Sequence, residues 1–280
     1  MSLRRLGHRF LFLLALGTIA SQAMPWASCA AAACAPRGGG AHRFWPSKER
    51  WRQASLDALR NGRTWVPAAT AAAVAIGGWD RKISDWAVDR TPLFGSPRRA
   101  RDASDIFRSA TDLAMITTAL TVPGEDAPWK SRFRRLLVEE GGTFVNDVTT
   151  LGLKRLTDRE RPDESGTDSF PSGHTSRAFT SAAMTWRNLD ATPMSPEARL
   201  ALQAAFTTLA AGTAWARVEA GVHFPSDVLA GAALGNFVGL LIHDAFLDPA
   251  SPVTIEPRVA RGTVAVWIRF RLPRQSDARG

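Results

Sequence analysis

A chain of 280 residues with 45% hydrophobic and 22% charged residues has a globular composition, which excludes a disordered, collagen-like or wholly lipid-buried protein. Two cysteines, Cys29 and Cys34, are too few for a disulfide scaffold or a multi-cysteine zinc site. Thirty-five basic against 26 acidic residues give a net charge of +9, a balance that favours anionic partners such as phosphates, lipid head groups or nucleic acid. All the basic residues except Lys48, Lys82, Lys130 and Lys154 are arginine; genomic base composition produces such an excess, and so does a need for planar, permanently charged phosphate ligands.

The chain opens with Arg4, Arg5 and Arg9, the apolar run Phe10 to Ala20 and the small residues Ala20 to Ala23, the layout of a secretory signal. No charge occurs between Arg9 and Arg37, so the same stretch is long enough for a retained membrane anchor. Residues 1–36 are therefore expected to be a cleaved signal or, second, an N-terminal anchor. Either delivers the remainder out of the cytoplasm, to a bacterial periplasm, soluble or membrane-associated. Cys29 and Cys34 lack the leucine three places upstream that a lipidated cysteine usually has. Residues 37–47, with Gly38-Gly39-Gly40 and Pro46, read as a flexible tether.

Residues 48–250 are expected to form one helical domain. Apolar periodicity and Pro/Gly punctuation predict helices over Glu49–Asn61, Val66–Val88, Ala103–Thr121, Trp129–Thr157, Ser172–Asn188, Pro196–Val218 and Ser226–Phe246. The uncharged windows Thr64–Trp79, Leu113–Gly124, Leu200–Ala216 and Val228–His243 hold 16, 12, 17 and 16 residues, short of the roughly 20 that cross a bilayer. A soluble or membrane-peripheral bundle is expected before an integral one. In residues 251–280 the alternation of Val264, Val266, Ile268, Phe270 and Leu272 with Ala265, Trp267, Arg269 and Arg271 predicts a strand. Val253 to Val259 would be its hairpin partner, ahead of a tail. The fold class is thus all-α with a short C-terminal β-hairpin.

Three clusters carry chemistry. The first is Lys154, six residues, then Arg161-Pro162. Pro162 disfavours helix at the residue before it, so one cation ends a helix, the other lies just beyond it, and both can converge on one oxyanion. A solvated basic helix end, shared with Arg155 and Arg159, is the plainer reading of that cluster alone. The second is Pro171-Ser172-Gly173-His174, a turn opening a helix, where free backbone N–H groups hold phosphate. Gly173 permits close backbone approach, and His174 would stand beside the anion as a proton donor. The third is Arg217, five residues, His223, three residues, Asp227. A histidine four residues before an aspartate can give its Nδ1 proton to the carboxylate and leave Nε2 free to attack. His8, His42 and His243 have no comparable company.

Taken in order, these clusters resemble the three signature motifs of the type 2 phosphatidic acid phosphatase and vanadium haloperoxidase superfamily. The match covers Lys154 to Asp227 directly and the helical layout from about Val66 to Phe246. The resemblance implies a helical bundle and metal-independent, cofactor-free hydrolysis of phosphate esters through a phosphohistidine. His223 would be the nucleophile and Asp227 its orienting partner. His174 would protonate the leaving oxygen and later help activate water. Lys154, Arg161 and Arg217, with Ser172 and the Gly173 backbone, would hold the phosphoryl oxygens. Where the family often has Ser before the third-motif Arg, this chain has Ala216, the loss of at most one hydroxyl contact.

The expected function is a metal-independent phosphatase, a phosphoric ester hydrolase of the acid or lipid phosphatase kind. Its partner would be a phosphorylated small molecule or lipid, phosphatidic acid and undecaprenyl diphosphate being lipid-linked examples, with peripheral membrane contact and no nucleic acid. A vanadate-dependent haloperoxidase and a non-catalytic anion-binding protein are the alternatives. Trp45, Trp51, Trp65, Trp79 and Trp86 suit either a lipid interface or the bundle core.

Overall fold

The computed structural model describes residues 46–123, 128–247, 253–260 and 263–270. The expected signal or anchor, most of the tether, Cys29, Cys34, Trp45 and the C-terminal tail lie outside the described residues. Those described form an all-α bundle of eight helices: α1 Lys48–Arg60, α2 Gly62–Ile76, α3 Asp80–Arg90, α4 Pro97–Thr121, α5 Pro128–Thr157, α6 Gly173–Asp190, α7 Pro196–Glu219 and α8 Pro225–Phe246. The backbones of β1, Val253–Ala260, and β2, Thr263–Phe270, pair antiparallel from Val253↔Phe270 to Ala260↔Thr263.

Local sequence explains the helix starts. Ser47, Asn61, Ser96 and Ser195 each accept a hydrogen bond from a first-turn backbone N–H, and Pro97, Pro196 and Pro225 occupy first helical positions, where a missing N–H loses nothing. Two boundaries differ from the sequence reading. The helix expected over Val66–Val88 is two, because Gly77-Gly78 breaks it: Gly78 takes φ +65°, open to glycine at no steric cost. Helix α4 begins six residues before the expected Ala103, at the Ser96-Pro97 start.

Helix α8 sits at the centre, packed on α6, α2, α1 and α5, while α4 packs on α6 and α7. By length and composition α8 is long enough and apolar enough to cross a membrane, which corrects the expectation that no such stretch falls in the domain. Most of it is buried inside the bundle, the usual place of a helix apolar on all sides. Its contact with α6 is close because the side chains are small: a Cβ on Gly231 would lie 2.7 Å from the Ser172 carbonyl oxygen, and one on Gly239 2.9 Å from that of Thr180. At one end Met115, Val138, Met184, Val238 and Ile242 form the largest apolar cluster, joined by Trp51, which meets Phe246 edge-on at 5.6 Å. Trp51 thus serves the core, whereas Trp65 and Trp79, flanking the exposed Ile76 of α2, are more than half exposed.

Candidate active site

The three clusters come together where the last turns of α5 and α7 face the first turns of α6 and α8. The loop from Asp158 to Ser172 is tied back on itself by Arg161 N–H to the Gly166 carbonyl at 2.9 Å and Ser169 N–H to the Arg159 carbonyl at 2.9 Å. It ties onto α8 through Ser172 N–H to the Asp227 carbonyl at 3.1 Å. The segment carrying Arg161, the start of α6 and the start of α8 are therefore one hydrogen-bonded unit.

Lys154 leaves the last turn of α5 beside the opening of α6, its Cε 3.9 Å from where a Gly173 Cβ would be. Arg217, in the last turn of α7, is buried, with Nη1 on Ser104 Oγ at 3.3 Å and Nε buried without a hydrogen-bond partner among the described residues. Burial, then repulsion from Arg161, presses its guanidinium down to about 10, so it stays charged at neutral pH. Its unsatisfied donor is a debt that an anion settles.

His223 is 2% exposed. Burial pushes its imidazole well below the usual range, and the charges of Arg217, Lys154 and Arg161 push further, so the ring is neutral. Its Nδ1 lies 2.8 Å from the Ser169 carbonyl oxygen. A carbonyl only accepts, so Nδ1 carries the proton and Nε2 is left with a free lone pair. Burial, followed by repulsion from Arg217, lowers His174 too, against the pull of Asp105, whose Oδ1 is 2.8 Å from His174 Nε2.

One site expectation needs correction. Asp227 does not take the Nδ1 proton of His223. It stands in the first turn of α8, and its oxygens accept from the Phe224 N–H at 2.8 Å, Ser169 Oγ at 2.6 Å and Arg159 Nη1 at 2.6 Å. The extended N-cap residue Phe224 and two helical residues separate it from His223 in the turn, and its side chain folds back to cap the helix instead of reaching the ring. It acts on His223 through Ser169, which it grips by the hydroxyl while the carbonyl of the same residue holds the imidazole. Ser172 is fully buried, and its Oγ accepts from Thr175 Oγ1 at 3.1 Å, which leaves its own O–H to donate beside the backbone N–H groups at the start of α6.

Sequence reasoning missed four residues. Arg159, read as helix-end charge, bridges Asp227 and Asp80, reaching Asp80 Oδ2 with Nη2 at 2.7 Å while its guanidinium lies 4.6 Å from the Phe224 ring centre. Asp80 also accepts from Ser226 N–H at 2.9 Å and Ser226 Oγ at 2.6 Å. Asp80 and Asp105 lie on α3 and α4, remote in sequence from all three clusters, and only the fold could reveal them. The fourth, Asp168, accepts two hydrogen bonds from Arg161, Nε to Oδ1 at 2.8 Å and Nη2 to Oδ2 at 3.0 Å.

This arrangement gathers three cations around one neutral imidazole beside a helix start, which is a site for a multiply charged oxyanion. Residues 137–249 match the PAP2 superfamily. The segment spans every site residue from Lys154 to Asp227. Among similar proteins is decaprenylphosphoryl-5-phosphoribose phosphatase of Mycobacterium tuberculosis, 32% identical over 120 residues, which are 40% of this chain and 61% of that one. Lipid A 1-phosphatase of Porphyromonas gingivalis is 40% identical over 109 residues, 36% of this chain and 23% of that protein. The chain thus spans less than two thirds of the length of these relatives. A transmembrane PAP2-type phosphatidylglycerolphosphate phosphatase from Bacillus subtilis superposes with a TM-score of 0.45 at 23% identity, covering 69% of this chain and 94% of that one.

Proposed function

We propose that this chain is a phosphatase that cleaves phosphate monoesters or diphosphates through a phosphohistidine on His223. The observation that carries the reading is the Nδ1 contact of His223 with the Ser169 carbonyl at 2.8 Å, which leaves an unprotonated Nε2 among three cations. Nε2 would form a bond to phosphorus as the bond to the leaving oxygen breaks. Lys154, Arg161, Arg217 and the N–H groups at the start of α6 would hold the equatorial oxygens, the positioning and charge neutralisation that phosphoryl transfer chiefly needs. His174, its Nε2 held by Asp105, would give a proton from its other ring nitrogen to the departing oxygen, then take one from the water that cleaves the P–N bond. A His223 ring kept neutral by burial and by its cationic neighbours is a competent nucleophile at any pH near neutrality.

Lipid-linked phosphates are the substrate class this reading favours. On α5 the exposed Phe144, Val148 and Leu151 recur at helical spacing and end one turn before Lys154, so an acyl or prenyl chain would have an apolar track to the phosphate site. The relatives' names, which specify lipid A and a decaprenylphosphoryl sugar, support the same class. Export by residues 1–36 would place the site on the outer side of a cytoplasmic membrane.

The test is phosphate release by the purified protein with a chelator present, comparing phosphatidic acid and an undecaprenyl diphosphate with a soluble aryl phosphate. His223→Ala is the control. We expect chelator-resistant release, faster on the lipid phosphates, and lost in the variant by roughly three orders of magnitude or more. Undiminished release by His223→Ala would overturn the mechanism.

A further inference from the structure

The phosphoryl-binding pair already holds an anion. Lys154 Nζ donates to the Asp168 backbone carbonyl and lies 3.5 Å from its Oδ2, while Arg161 grips both carboxylate oxygens along its Nε–Nη2 edge at 2.8 and 3.0 Å. That two-pronged fork is the geometry in which arginine binds a phosphoryl group. Burial acts to raise the Asp168 carboxyl, but the Arg161 hydrogen bonds and the charges of both cations outweigh it and hold it below the usual range. Asp168 is thus ionised wherever the enzyme would work.

Position separates two roles for such a carboxylate. A buttress would stand behind the cations, deeper in the protein. Asp168 stands in front of them: its side chain is 53% exposed, against 14% for Lys154 and 22% for Arg161. A phosphate arriving from solvent meets Asp168 first. The backbone around this side chain is pinned, before it by the Arg161 N–H on the Gly166 carbonyl and after it by the Lys154 contact on the Asp168 carbonyl and by the Ser169 N–H and hydroxyl on Arg159 and Asp227. Only the short carboxylate arm is free to turn, and an exposed side chain changes rotamer within nanoseconds.

We propose that Asp168 is an exchangeable internal counter-ion: its carboxylate occupies the place of two phosphoryl oxygens on Lys154 and Arg161, and swings away when a phosphoryl group arrives. It thereby sets the affinity of the site. The proposal rests on the reading of this site as a phosphoryl site and adds a residue that opposes binding. Each binding event exchanges one ion pair for another, so affinity is lower than the three cations alone would give and release of inorganic phosphate is eased.

The experiment measures binding of inorganic phosphate and of orthovanadate by calorimetry, together with kcat and KM for a phosphate ester, on the full chain and on Asp168→Asn and Asp168→Glu. The asparagine variant should bind both anions about three- to tenfold more tightly, the scale of removing one partly exposed ion pair. KM should fall by a similar factor, and kcat should stay level or drop as product leaves more slowly. Asp168→Glu, which restores the charge, should return towards the parent values. Equal or weaker anion binding by a folded asparagine variant overturns the proposal and makes Asp168 a prop for the cations. A structure of the unaltered protein with orthovanadate bound decides independently of any variant: the proposal requires the Asp168 carboxylate off Arg161, and a carboxylate still seated there refutes it. If the unaltered protein neither binds these anions nor cleaves any phosphate ester, the phosphatase reading falls and takes this proposal with it; hydrolysis without tighter binding in the variant removes this proposal alone.

Discussion

Arg159 donates to Asp227 at 2.6 Å, so a residue two places before Arg161 holds the carboxylate four places after His223. Its other arm holds Asp80 at 2.7 Å. Asp227 is wholly buried, and burial pushes its carboxyl up even though Ser169, Arg159 and the Phe224 N–H all favour the ionised form. Without Arg159 two carboxylates, Asp80 and Asp227, would face each other. Arg159→Ala should therefore lower stability by roughly 2–4 kcal/mol, near the range for breaking a buried pair from one side. It should also cut kcat by about tenfold or more, because the Asp227–Ser169–His223 chain loosens. Thermal unfolding and steady-state kinetics check both, and Arg159→Lys, which keeps the charge but loses one prong of the fork, should fall between.

The two histidines predict an acid-shifted rate profile. In the proposed mechanism His223 attacks deprotonated and His174 donates from its protonated form. Burial and neighbouring cations lower both below the ordinary value of 6.5. In the free enzyme kcat/KM should rise with pH through the low His223 value and fall again as His174 loses its proton, so the maximum should lie below about pH 6.5. His174→Asn should lower the maximum and flatten the alkaline limb; a limb unchanged in that variant would assign it to the substrate instead.

Nearer the middle of α5, Glu139 is buried, with Oε2 accepting from Asn188 at 3.1 Å and Oε1 without a partner among the described residues. Burial pushes its carboxyl up to about 8, outweighing the Asn188 hydrogen bond and the Arg135 charge. The folded chain keeps a proton that the unfolded chain releases above about pH 4.5, so stability should fall as pH rises from about 4.5 to about 8. Glu139→Gln, which imitates the protonated acid, should match the parent near pH 4 and exceed it by on the order of 3 kcal/mol near pH 9. Denaturant unfolding at the two pH values measures this directly.

A Cβ on Gly235 would collide with the Ser176 carbonyl oxygen and lie 2.9 Å from the Thr180 N–H nitrogen, both on the helix that presents His174. Backbone cannot step aside as a flexible side chain does. Gly235→Ala should lower the unfolding temperature by several degrees, at about 3 kcal/mol or more, and reduce activity by displacing the start of α6.

The bundle was legible because α6, α7 and α8 combine apolar periodicity with clear Pro and Ser starts. The gathering of Lys154, Arg161 and Arg217 about His223 was legible because they sit at fixed distances from His174 and His223 along the chain. The break at Gly77-Gly78 was missed because apolar residues continue on both sides of it. The partner of His223 was misassigned because a spacing of four suggests a side-chain contact, while the true acceptor is a main-chain oxygen 54 residues away. No residue type announces a backbone carbonyl. Asp80 and Asp105 were illegible for a different reason: single aspartates on charged helices carry no local mark, and tertiary packing alone gives them a role.

The Ser169 carbonyl that fixes the His223 tautomer belongs to no side chain. An alanine scan would pass over it: Ser169→Ala removes the hydroxyl held by Asp227 and keeps the acceptor in place. The protonation state of His223 is thus encoded in loop conformation: substitution at 169 loosens the tether to Asp227 but keeps the acceptor, whereas insertions or deletions between Arg161 and Pro171 would move the acceptor itself. Chain length across that loop, more than residue identity at 169, is what evolution or an engineer would have to preserve.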